Sequence, residues 1–298
     1  MTLPFHPSLK KLPQECREWM EHAEKARKWE RYAVKLQEYL DTPGSLNAKA
    51  GIQLGRLGHF YDVAACDAYF RGDTEQLVKL LQWAVVLRAL EFRWDGMYSA
   101  MRPDLGNWPT EFWDSMKAAG PSMLSWWNEA AVCAERFLQM AEKDQRINTL
   151  VESRRIKRNT NDVFLAYLFS QGFGIATAFT PRKPLIPHYQ ALLDHWRTAD
   201  EALFGSVMKD AAEFHISRSK DSTGSKFYEF NYDIDRLFPA ELLAVQALRR
   251  RDGLPEFETG HLLVDAPWAI VRDLPRVEPH PLAAAVEARL KQDYPQFR

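Results

Sequence analysis

Residues Ala48 to Met97 constrain the fold more than any other stretch, because two apolar-striped helical patterns meet there at Gly72-Asp73. Leu54, Leu57, Tyr61, Ala64 and Ala68 recur at three- and four-residue spacing, which places them along one side of a helix. Gly72 stands where a left-handed C-terminal residue is wanted. Asp73, followed three residues later by Gln76, resembles a capping box, so a second helix is expected to start at once. In that second helix Leu77, Leu80, Ala84 and Leu87 form one stripe, and Trp83, Val86 and Leu90 form another beside it. A helix apolar around so much of its girth belongs in the middle of a fold.

Elsewhere the same period recurs. A long helix is expected from Pro13 to Asp41, with Trp19, Ala23, Ala26, Ala33, Leu36 and Leu40 inward and a charged outer face, ended by Thr42-Pro43-Gly44-Ser45. Arg102 to Pro109 reads as an irregular connection, anchored by Trp108, Phe112 and Trp113. Past Gly120-Pro121, the positions Met123, Trp127, Ala130, Ala134, Phe137 and Ala141 mark another amphipathic helix, followed by an exposed basic segment with Arg146, Arg154, Arg155, Lys157 and Arg158. The run Val163–Phe169 fits a buried helix or a strand, and Asp162 as a cap favours the helix. Pro181, Pro184 and Pro187 stiffen the next connection. Pro239 and Gly253 bracket an apolar helix, and the last helix starts at Pro281. Hairpin signals for strands are scarce. The expectation is a mostly α fold, a multi-helix bundle or an α-solenoid-like stack of antiparallel helix pairs, forming one helical domain over residues 1–298 with a subdomain seam near 177–187.

A chain of 298 residues with 46% hydrophobic content buries roughly 75% of its unfolded surface and needs no covalent staples. Its 39 basic and 40 acidic side chains nearly cancel, which argues against a generally cationic nucleic-acid binder. Cys16, Cys66 and Cys133 are odd in number and far apart, pointing to a reducing compartment, with Cys66 and Cys133 read as packing residues. No basic-then-apolar start and no run of about 18 apolar residues is present. A cytoplasmic protein without membrane contact is expected.

Reaction chemistry is hard to assemble from this sequence. A metal-dependent α-helical hydrolase requires His188, His195 and His215 to converge with acids such as Glu213, yet no HExxH pattern is present. Glu91, flanked by Arg88 and Arg93 among apolar residues, reads as a structural ion pair ahead of a tuned acid. Gly51, Gly55 and Gly58 lack the dinucleotide-binding spacing and more naturally permit close helix contact. The expectation is therefore a non-catalytic protein with no cofactor and no metal.

A binding surface is easier to draw. Glu229, Asp233 and Asp235 precede the Pro239 helix, Glu256, Glu258 and Asp265 follow it, and Phe227, Tyr228, Phe230, Tyr232 and Phe257 are interleaved. If the flanking loops approach one another, Glu229, Tyr232, Asp233, Asp235, Glu256, Glu258 and Asp265 form an acidic, aromatic-studded patch for a basic protein. The alternative is that these acids solvate loops and the aromatics plug the core.

Two blocks carry a family resemblance. They are the Gly55–Asp73 helix, with Tyr61, Ala64, Ala65 and its Phe70-Arg71-Gly72-Asp73 ending, and Phe238-Pro239-Ala240-Glu241-Leu242-Leu243 running to Arg251-Asp252-Gly253-Leu254-Pro255. On these the chain resembles the immunity protein 49 family, mostly helical neutralisers encoded beside bacterial polymorphic toxins. The resemblance implies an intracellular protein that occludes a cognate protein toxin one to one, without catalysis or cofactor. Should the toxin be a nuclease, the acidic patch imitates phosphate. A helical adaptor that binds other partners through such surfaces remains the alternative, beside the hydrolase.

Overall fold

The computed structural model describes residues 3–42, 48–103, 112–147, 159–223 and 226–298. Among them are thirteen α-helices and no strand, so the protein is a mostly α, multi-helix bundle. In chain order the helices are α1 (Leu12–Lys25), α2 (Lys28–Asp41), α3 (Ala48–Arg71), α4 (Thr74–Ala100), α5 (Phe112–Met123), α6 (Trp127–Ile147), α7 (Asn161–Phe173), α8 (Pro187–His195), α9 (Glu201–Ser217), α10 (Asp233–Leu237), α11 (Ala240–Arg251), α12 (Leu262–Val271) and α13 (Pro281–Asp293). None of the described helices is long and apolar enough to cross a membrane.

The chain divides into two compact units. Unit 1 combines Met1–Met101 with Leu274–Arg298, and unit 2 is Arg102–Asp273. The division thus falls at 101/102 and 273/274, while the proline-rich segment 177–187, where a seam was expected, lies inside unit 2. Local sequence cannot reveal this arrangement, because it depends on the last 25 residues returning to helices near the start of the chain.

Unit 1 is built on the α3–α4 hairpin. Gly72 adopts φ 67°, and the N–H groups of Gly72 and Asp73 bond to the carbonyls of Tyr69 and Ala68, closing α3 with a Schellman motif. Asp73 then accepts the Gln76 N–H at 3.2 Å, starting α4. The two helices lie close where α3 carries glycine: a Cβ on Gly55 would overlap the Glu91 carboxylate, and one on Gly51 would sit 3.1 Å from the Trp94 ring. Between the helices Arg88 pairs with Asp62 at 3.2 Å, both buried, and α4 buries residues on every side, as its two apolar stripes predicted.

The long helix expected over Pro13–Asp41 is two helices. Arg27 takes a left-handed conformation (φ 47°) after the Ala26 and Arg27 N–H groups bond back to His22 and Glu24. That turn lets both halves reach α3, with Cys16 and Ala23 buried from α1 and Leu36 and Tyr39 from α2. The gain in burial offsets the roughly 1–2 kcal/mol of a non-glycine left-handed residue.

Unit 2 is organised around α11, in which every residue from Ala240 to Arg249 is buried. It packs against α5, α7, α9 and α12. Pro239 caps its start and Gly253 follows its end at φ 70°. Pro121, expected to precede a new helix, lies within the last turn of α5, and the break comes instead at Ser125 (φ 57°). Helix α6 then buries Ala130, Ala134, Phe137 and Ala141. The ambiguous run Val163–Phe169 is helical within α7, whose cap is Thr160. Asp162 is the second residue of the helix and accepts the Thr160 N–H at 3.0 Å. Cys16, Cys66 and Cys133 are all buried and none forms a disulfide, Cys66 and Cys133 filling core volume as expected. The anchors Trp108, Phe112 and Trp113 and the basic residues Arg154, Arg155, Lys157 and Arg158 lie outside the residues whose side chains are described.

Candidate functional site

Along α11, Leu242, Val245 and Arg249 are separated by three and four residues, so a guanidinium occupies a position on the apolar side of the helix. Arg249 is fully buried and lies between two rings, 4.0 Å from Phe204 and 5.3 Å from Phe257. Its Nη atoms donate to three carbonyls: Trp196 at 2.5 Å and Thr198 at 3.0 Å, just ahead of α9, and Pro255 at 2.8 Å, just after α11. One fixed cation thereby ties together two segments distant in sequence.

The same loop is held at further points. Gln246 donates to the Phe257 carbonyl at 3.2 Å. Asp265, from the first turn of α12, accepts from the Thr259 N–H at 2.9 Å, the Thr259 hydroxyl at 2.8 Å and the His261 N–H at 3.1 Å. Residues 255–261 are fixed from beneath, so little conformational entropy is left to lose when something binds on top. Above them Glu256 and Glu258 are exposed, and Glu258, Thr259 and Gly260 form one wall of an open depression of about 480 Å³. The other wall is the first two turns of α9, with Glu201, Ala202, Gly205, Ser206 and Lys209. Asp200 caps that helix through the Leu203 N–H at 3.0 Å.

Toward the other end of α9 lies a second polar group. His215 on α9 is completely buried, and its Nε2–H donates to the Asp235 carbonyl at 2.9 Å, because a carbonyl can only accept. Its Nδ1 faces Glu241 Oε1 at 2.7 Å, and the Tyr189 hydroxyl donates to the same oxygen at 2.9 Å. Phe230 stacks on the imidazole with ring centres 3.6 Å apart. Burial, with the Glu241 carboxylate next to it, pushes the Tyr189 hydroxyl well above its ordinary value. Histidine, carboxylate and tyrosine are the parts of an acid–base relay. Here His215 and Glu241 have no exposure, and with Tyr189 and the Asp235 carbonyl they cross-link α8, α9, α10 and α11. Close by, burial raises Asp162 to about 7, against hydrogen bonds from the backbone N–H groups at the start of α7, with Glu229 adding to the rise.

The seven residues expected to form an acidic patch separate into three groups. Glu229 is buried and takes a hydrogen bond from Arg218, and Asp235 is buried with its backbone carbonyl on His215. Both leave the proposed surface, Glu229 on its pairing with Arg218 and Asp235 in the buried run that opens α10. Asp265 is withdrawn as well, its carboxylate being engaged by the loop it holds. Tyr232 and Asp233 are half-buried at the start of α10, with Asp233 3.7 Å from Arg236. Glu256, 3.6 Å from Arg250, and Glu258 remain at the surface. Of the interleaved aromatics, Phe230 plugs the core and Phe227 is exposed.

The histidines required by a metal-dependent hydrolase do not converge. His188 and His195 are exposed on α8, whereas both ring nitrogens of His215 are engaged in the core. Arg88 and Arg93, the expected partners of Glu91, bond to Asp62 and Glu287. Sequence reasoning passed over Arg249, Glu201 and Lys209. The first carried a signal, a cation at an apolar helical position, but the other two become neighbours of Glu258 only through tertiary contact. No protein-family model, curated protein or solved structure matches this chain.

Proposed function

We propose that the chain is a non-catalytic binding protein of the immunity type, which neutralises a cognate protein toxin by covering it. The observation that carries this reading is the braced loop 255–261, which holds Glu256 and Glu258 outward beside the open depression along α9. A preshaped acidic edge attracts a basic protein surface over long range and loses little entropy on docking. The remaining contact area, roughly 1,200–2,000 Å² in total for a stable complex, comes from the surrounding helical faces. The buried His215, Glu241 and Tyr189 serve this role by fixing the body on which the loop stands.

The test is co-expression with the product of the adjoining open reading frame, scored by survival and by co-purification. Protection together with a one-to-one complex is the expected result, and failure of both overturns the reading. With a complex in hand, the double change Glu256→Gln and Glu258→Gln is expected to slow association about tenfold at low salt and less at high salt, as rim charges do. An unchanged association rate excludes this edge as the contact.

A further inference from the structure

Residues 274–298 run back over the hairpin of unit 1 and are fastened to it at a series of points. Gln82 on α4 holds the irregular part from both ends of its amide, donating to the Pro275 carbonyl at 2.9 Å and accepting the Val277 N–H at 3.1 Å. The Trp83 indole N–H donates to the Glu278 carbonyl at 2.9 Å. Next His280 packs its ring edge-on against both Tyr61 and Trp83, with ring centres 5.1 and 4.9 Å away, and its Nε2 meets the Tyr61 hydroxyl at 3.0 Å. Beyond it α13 is held by Arg93 on Glu287 at 2.9 Å and by Arg289 on the Leu40 carbonyl at 2.9 Å. Amides, indole and guanidinium keep their charge state throughout the neutral range. His280 alone among these groups has an ordinary titration within it.

We propose that residues 274–298 form an acid-released strap with His280 as its latch, protonation of the imidazole in its aromatic slot driving the segment off α3 and α4. The slot suits only the neutral ring: His280 is buried, and its Nδ1 has no hydrogen-bond partner, so a second N–H would be left without an acceptor. The Tyr61 hydroxyl, pushed up to about 12 by burial, offers no negative charge. On α3, Asp62 is engaged with Arg88 of α4. On α4, Lys79 holds its ammonium 4.4 Å from the centre of the Trp83 ring. On the strap, Glu278 is exposed, and on α13 Glu287 is bound to Arg93 and Lys291. Burial lowers His280 to about 4. The closed strap therefore binds fewer protons than the open one between pH 6.5 and 4, and closure weakens as the pH falls through that window. Linkage gives a rise of about twentyfold in the open-to-closed ratio between pH 7 and 5 if lifting restores an ordinary histidine.

Hydrogen exchange of the full-length chain at pH 7 and pH 5, corrected for the intrinsic rate, tests this. Peptides from 274–298 are expected to lose about twentyfold in protection at the lower pH, while those from α3 and α4 stay the better protected at both pH values, and His280→Gln is expected to abolish the response of the strap. His59, also lowered to about 4 by burial and by Arg88 and Lys28, lies on α3 beside Trp19, so His59→Gln is the control that leaves the strap response intact. Equal corrected protection at both pH values overturns the proposal, as does exchange of the strap only at the same rate as α3 and α4, or a response that follows His59. Should His280→Gln fail to fold, the His280 ring proton in the unaltered protein decides by NMR. An ordinary titration near 6.5 with the strap still protected sinks the idea, and a shift that accompanies loss of strap protection sustains it.

Discussion

In unit 1 the cations that enter the interior arrive with acids from facing helices, Arg88 with Asp62 and Arg93 with Glu287. In unit 2 the most deeply buried cation, Arg249, is instead surrounded by three backbone carbonyls and two aromatic rings. The histidines differ in the opposite sense. His280 faces one hydroxyl and leaves Nδ1 without a partner, whereas His215 has an acceptor oxygen at each nitrogen. A carbonyl does not titrate and a carboxylate does, so the two interiors respond to protons differently. Unit 1 carries groups whose native state resists protonation at His59 and His280, and acid weakens it. Unit 2 carries Asp162, whose native state favours the proton, and alkali weakens it.

The largest test of this contrast is Arg249→Met. It strands the Trp196, Thr198 and Pro255 carbonyls and loosens residues 255–261 together with the start of α9, for an expected loss of about 3–5 kcal/mol by chemical denaturation. The loss is expected to be equal at pH 5 and pH 8, and a strong pH dependence would contradict a brace made of non-titrating partners. Asp162→Asn is next. The native carboxyl, raised to about 7, contributes stability that is complete below about pH 4 and is lost as the pH climbs through 7. The amide keeps the acceptor without the charge, so it is expected to raise stability by roughly 1–2 kcal/mol at pH 8 and to be neutral at pH 4, measured by unfolding at the two pH values. Smallest is Glu287→Gln in unit 1. Burial pushes Glu287 up, but Arg93 and Lys291 outweigh it and hold the carboxyl low. Its contribution is present above about pH 4.5 and fades as the pH falls through the lowered native value. The change is expected to cost about 1 kcal/mol at pH 7 and progressively less toward pH 3, the partly exposed pair being screened by solvent.

Much of the fold is legible in the sequence where the deciding interactions are local. Gly72 and Asp73 place the α3–α4 turn, Pro239 and Gly253 bracket α11, and Pro281 opens α13, because caps and turns are settled within about four residues. The break at Arg27 carried no such mark. It lets α1 and α2 both pack against α3, a contact invisible in α1 or α2 alone. Of the candidate site, Glu256 and Glu258 were found by counting acids around α11. The same count wrongly enrolled Glu229 and Asp235, since a carboxylate's spelling is the same whether it faces water or Arg218.

By itself the sequence determined that the chain is helical, where α3 ends, where α4, α11 and α13 begin, and that α4 is central, because periodicity and capping act over single turns. Only the tertiary structure decided that residues 274–298 belong with the first 101, that Arg249 braces a loop, and that His280 sits in an aromatic slot. Those outcomes depend on which distant groups share a desolvated space, and the energy of a buried charge or imidazole is set by that company and not by its chain neighbours.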